Sequence, residues 1–180
     1  SKFKEFSYSI FGLIDKAYSQ NSETNHYLKR LNVKNIQSIG NMKFIEDDNI
    51  KSDKSDKKLF SQFKKYKTFI AASTHETEEL FAAKTHILLK KKNKNIITII
   101  IPRHINRVKQ IIAEINELGL NVVSRSSKKL KLKDIDIFMV DTFGETKKFY
   151  KFATTVFLGK SIVKGGGQNP LEPARFGAKI

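Results

Sequence analysis

The sequence predicts an α/β fold, a parallel sheet with crossover helices, and three observations carry that prediction. Between residues 67 and 158, apolar runs of strand length alternate with longer segments of helical period. The helical segments between them supply the crossovers that parallel strands need. A hydrophobic content of 39% over 180 residues, with 14 Phe, is enough for a folded core.

In chain order, residues 6–18 carry a helical apolar period, 23–31 a second helix, and 33–36 a short apolar run that leads to Gly40. Residues 45–66 hold Asp47, Asp48 and a Lys, Ser and Asp run with few apolar positions, and read as an exposed connection at a domain boundary. The regular part follows: a strand at 67–72, a helix at 76–90, a strand at 95–101 and a helix at 108–118 stopped by Gly119. Next come strands at 121–123 and 135–140, a helix at 146–152, a strand at 155–158, a glycine loop, and a helix start with Pro170 or Pro173 in its first turn. No internal repeat is present.

Composition narrows the function. With no Cys there is no disulfide framework and no cysteine metal site. No run approaches the roughly 18 apolar residues of a membrane span. The chain begins at Ser1 and ends at Ile180 where another strand could start, so it reads as part of a longer protein. A net charge of +16 suits an anionic partner. Of the 34 basic residues only five are Arg, and the Lys are spread among Asn and Ile, so the charge is not read as a nucleic-acid signature. An anionic lipid surface is the better match.

In an open parallel sheet, ligands bind outside the carboxyl ends of the strands, so the loops there are the candidate site. They hold Ser73, Thr74 and His75; Pro102, Arg103, His104 and Arg107; Asp141, Gly144 and Glu145; and Ser161, Gly166, Gly167, Asn169 and Glu172. Each loop also has an ordinary reading. Ser73 or Thr74 can cap a helix whose dipole Glu76 to Glu79 complement, and Asp141 or Thr142 with Glu145 can form a capping box. The glycines can be a plain turn. His75 and His104, with His26 and His86 elsewhere, show no metal-ligand spacing. Arg103 after Pro102 places a rigid guanidinium at a strand end, which suits phosphate or carboxylate. Asn169 and Glu172 suit a hydroxyl-bearing ligand such as a ribose. Together the loops point to an anionic, sugar-containing ligand.

Four motifs in this order carry a resemblance. Ser73-Thr74-His75-Glu76 with Glu78-Glu79, Pro102-Arg103-His104 with Arg107, Asp141-Thr142 with Gly144-Glu145, and Gly166-Gly167 with Asn169-Pro170-Leu171-Glu172-Pro173 resemble the successive motifs of the 3-deoxy-D-manno-octulosonic acid (Kdo) transferases. Gly40-Asn41-Met42-Lys43-Phe44 is similar to the end of that family's first domain. Lys160 stands where the family has Gly, and Gln168 where it has His.

The resemblance implies a GT-B glycosyltransferase with two Rossmann-like domains. Residues 1–44 would be the tail of the acceptor domain, 45–66 the connection, and 67–180 the donor-binding domain. It further implies CMP-Kdo as donor and a lipid A precursor as acceptor, at the cytoplasmic side of the cell inner membrane, with no cofactor and no catalytic metal. In this family the catalytic carboxylate lies in the first domain, so no catalytic residue is expected here and the chain alone is expected to be inactive. The donor-binding residues implied are the fifteen named above, with Arg103 on phosphate or carboxylate and Glu172 on the ribose. Two alternatives stay open: a GT-B enzyme for another nucleotide sugar, and a basic module that binds anions or nucleic acid.

Overall fold

The computed structural model describes residues 2–40, 54–127, 131–163 and 166–180. The chain divides into two compact units, Ser1–Asn49 and Ile50–Ile180. In the first, α1 (Lys2–Phe11) leads to a small β-α-β piece of β1 (Ala17–Ser19), α2 (Ser22–Arg30) and β2 (Ile36–Ser38), whose strands pair in parallel. Asn21 caps α2 by accepting from the Thr24 N–H at 2.8 Å. The helix expected over 6–18 therefore stops at Phe11. Ala17 and Tyr18 fit a strand as well as a helix, and pairing with β2 supplies the backbone partners: the Ala17 N–H donates to Asn35 O at 2.8 Å. The expected Gly40–Phe44 motif lies, after Gly40, outside the described residues.

The second unit begins with a correction. Residues 54–66 are not an exposed connection, because α3 (Lys54–Phe63) buries Leu59 and Phe63 in the core. Its apolar positions recur at helical spacing, so one stripe packs while Lys57 and Lys58 face outward. The earlier part of the expected connection, 45–53, lies outside the described residues.

The sheet is formed by β3 (Lys67–Thr74), β4 (Ile96–Pro102), β5 (Val122–Ser124), β6 (Ile137–Met139) and β7 (Thr155–Leu158). Their order is β5-β6-β4-β3-β7 and every pairing is parallel. The crossover segments contain α4 (Glu78–Lys92), α5 (Val108–Glu117) after a short 3₁₀ turn, and α6 (Thr146–Tyr150), with α7 (Leu171–Arg175) after β7. Alternate strand residues feed two cores. Ile70, Ala72, Ile97, Ile99, Phe138 and Val156 pack with Leu59 and Phe63 of α3 and Phe149 of α6. Phe69, Ala71, Ile100, Ile137 and Met139 pack with Ala82 and Ala83 of α4 and Ile111 and Ile115 of α5. The sheet is thus covered on both faces, which is why its strands read as unbroken apolar runs.

Candidate functional site at the carboxyl edge of the sheet

Because every pairing is parallel, the loops after β3, β4, β6 and β7 all start from one edge, as the sequence predicts. β3 lies between β4 and β7. The chain leaves β3 toward β4 on one side and later reaches β7 on the other, so the loops of β3 and β7 flank the point where strand order reverses. They meet closely. The Gly159 N–H donates to Ala72 O at 2.8 Å, and a Cβ on Gly159 would lie 2.0 Å from Ser73 O, so only glycine fits. The Arg103 N–H donates to Thr74 O at 2.9 Å, tying in the loop after β4.

Two buried carboxylates on the first turn of α4 organise this edge. Glu78 accepts from the backbone N–H groups of His75 at 2.9 Å, Lys160 at 2.8 Å and Ile162 at 3.3 Å. Backbone donors after β7 that would suit a bound anion are thus already occupied by a side chain of the protein itself. Glu79 accepts from Thr74 Oγ1 at 3.0 Å and pairs with Arg107 at 3.2 Å. Arg107 and Thr74, both expected at the ligand, are engaged with Glu79. His75 Nε2 is buried with no hydrogen-bond partner, and its ring meets that of His104 edge-on at 5.8 Å. Three non-glycine residues here have left-handed backbones: Ser73 at φ 55°, Thr77 at 75° and Lys160 at 64°.

On the β6 side, acids and bases form a buried network. Glu145 accepts from Arg125 Nε at 3.1 Å, from Lys148 Nζ at 3.1 Å and from Thr142 Oγ1. Fully buried Asp56 of α3 binds Arg125 and, at 2.8 Å, Lys148. Burial alone would raise the Glu145 pKa, but the hydrogen bonds from Arg125, Thr142 and Lys148 outweigh it and hold the carboxyl at about 2. The hydrogen bond to Asp56 likewise raises the Lys148 pKa. Asp141 accepts from the N–H of Ser126 at 2.9 Å and from its hydroxyl. Glu145 and Asp141 thus have protein partners, while Gly144 takes φ 74°. Sequence reasoning missed Asp56, Arg125 and Glu78. Asp56 sits in a Lys-rich run, and nothing in its spacing signals a partner 69 residues away.

Arg103 and His104 are exposed and line an open pocket with Ile105, Asn106 and Phe143, a residue 77% exposed. After β7, Ser161 Oγ donates to Leu158 O at 2.6 Å and lies 3.3 Å from where a Cβ on Gly167 would be. Gly166 takes φ 81°. Asn169 Oδ1 accepts from the Leu171 N–H at 3.1 Å in the turn before α7, and Glu172 pairs with Lys147 at 3.6 Å. Glu172, next to burial, helps raise the Tyr150 pKa. Far from these loops, buried His86 bonds Thr98 at 2.9 Å and Asp136 at 3.3 Å, and burial lowers its pKa. Among the described residues no group of three His, Cys, Asp or Glu is placed to hold a metal, and no helix is long and apolar enough to cross a membrane.

A parallel sheet covered by helices on both faces, with its polar loops at a strand-order reversal, defines a Rossmann-like domain. No family model matches the chain. It is 33% identical over 172 residues to the 3-deoxy-D-manno-octulosonic acid transferase of Rickettsia felis, across 93% of this chain and 37% of that protein. The transferase of Haemophilus influenzae is 33% identical over 108 residues, 60% of this chain and 25% of that one. The crystal structure of the C-terminal CMP-Kdo binding domain of WaaA from Acinetobacter baumannii matches with a TM-score of 0.63 and 25% identity, covering 69% of this chain and 66% of that one. The chain belongs to the 3-deoxy-D-manno-octulosonic acid transferase family. It spans 37% of the length of the Rickettsia felis relative.

Proposed function

We propose that this chain is the donor-binding part of a glycosyltransferase that moves Kdo from CMP-Kdo to a lipid A precursor at the cytoplasmic side of the inner membrane. The observation that carries the reading is the likeness to a CMP-Kdo binding domain, on a sheet whose switch point is lined by Ser73, His75, Arg103 and the loop after β7.

In the transfer, the bond from the sugar's anomeric carbon to the phosphate oxygen breaks and CMP leaves with the electron pair. The acceptor hydroxyl oxygen forms the new bond and gives up its proton to a base, for which none of the residues described here is proposed. The role of this chain is to hold the donor. The Arg103 guanidinium, exposed at the end of β4, meets phosphate or carboxylate as a fork of donors. Glu172 accepts from the ribose hydroxyls, Ser73 donates to donor oxygens, Ser161, its hydroxyl proton given to Leu158 O, holds the loop, and Gly166 and Gly167 admit the ligand close to the backbone. A single leaving phosphate carries less charge than a diphosphate, so basic side chains suffice to stabilise it. Arg107, Thr74, Asp141 and Glu145 act one step removed, by holding the loops through their bonds to Glu79, Ser126 and Arg125.

Calorimetric titration of the chain with CMP, UMP and short single-stranded DNA tests the reading. CMP is expected to bind most tightly, and DNA weakly with a steep loss in salt. Arg103→Ala should weaken CMP by roughly 1.5–3 kcal/mol, the range for a hydrogen bond to a charged group, and leave the melting temperature nearly unchanged. CMP binding no tighter than UMP or DNA would refute the donor assignment.

A further inference from the structure

The left-handed backbone of Lys160 stands out. A residue with a Cβ is disfavoured at φ 64°, where glycine is at ease, so the chain carries strain at this position. The position is also rigidly set. Its N–H donates at 2.8 Å to Glu78, which is fully buried and also bonds His75 and Ile162. The preceding Gly159 is pressed against the backbone of Ser73. Lys160 is half-buried at the strand-order reversal, and among the described residues its ammonium makes no ion pair. Neither a turn nor a clamp needs a lysine here, since glycine would suit the φ better and supply the same backbone N–H.

We infer that Lys160 supplies a cation to the anionic part of the bound donor, phosphate or sugar carboxylate, and that Glu78 is the positioning residue that fixes it there. The inference rests on the donor-site reading and adds to it a residue outside the set chosen from the sequence. Its signature is a split between stability and affinity. A structural lysine would lose stability when replaced. A ligand-binding lysine in a strained backbone loses affinity instead, and its glycine variant is at least as stable as the parent.

The test titrates the chain and its Lys160→Gly, Lys160→Met and Lys160→Arg variants with cytidine, CMP and CMP-Kdo, and records melting temperatures. The Gly and Met variants should bind the anionic ligand roughly tenfold more weakly or worse. Cytidine binding should not change, and the Arg variant should recover most of the affinity. The Met variant keeps the strain and so separates lost charge from a loosened loop. Loss with CMP assigns the contact to phosphate, and loss confined to CMP-Kdo assigns it to the carboxylate. Unchanged affinity for both in the Gly and Met variants, or an equal loss for cytidine, would overturn the inference while leaving the donor site standing. Failure of the parent chain to bind either nucleotide would remove the donor-site reading and this inference with it.

Discussion

Replacing Glu145 with Gln removes the charge at the centre of the Asp56, Arg125 and Lys148 network while keeping the side chain's size. In the folded protein this carboxyl is held at about 2, against an ordinary 4.5. At about 1.4 kcal/mol per tenfold change in proton affinity, that difference corresponds to roughly 3 kcal/mol in favour of the folded state. Because the folded value lies below the unfolded one, this stability is complete above pH 4.5 and is lost as the pH falls toward 2. Glu145→Gln should therefore lower stability at pH 7 by roughly 3 kcal/mol, a drop of about 6–12 °C in melting temperature for a chain of this size. Urea melts of parent and variant between pH 7 and pH 2 read both effects. The two curves should converge as the parent's carboxyl becomes protonated, and other acids such as Asp136, common to both proteins, cancel in the difference. A variant as stable as the parent at pH 7, or a gap that stays constant down to pH 2, would refute the reasoning.

Three further outcomes follow from the packing. Gly159→Ala drives a Cβ to 2.0 Å from Ser73 O, so β3 and β7 must part, and the cost should reach about 3 kcal/mol or more; melting close to the parent's would contradict the contact. Thr77→Gly relieves a β-branched residue at φ 75° and should raise stability by about 1 kcal/mol after the entropy of the added glycine, read from the denaturation midpoint. Phe63→Ala opens a cavity beneath α3 and should cost about 3–5 kcal/mol, whereas a change below about 0.5 kcal/mol would mean that α3 does not pack on the sheet.

The sequence by itself determined the class of fold, most of the strands and the edge where the polar loops gather. Strands buried on both faces appear as runs such as 67–72 and 95–101, and parallel pairing forces their following loops to a common edge. It also carried the four motifs by which the family is recognised. Only the tertiary structure decided the strand order β5-β6-β4-β3-β7, the burial of α3 and the start of a strand at Ala17. It likewise decided what each acid does. Glu76, Glu78 and Glu79 all look like dipole-complementing residues in the sequence, yet Glu78 gathers N–H groups from two loops and Glu79 holds Arg107. Glu145 looks like a ligand contact and is held by Arg125 beside Asp56. The reason is physical: period and turn chemistry act over a few residues and leave a local trace. A buried carboxylate's partner is whichever donor the fold brings within about 3 Å, often from 70 or 80 positions away in the chain, and no local pattern records it.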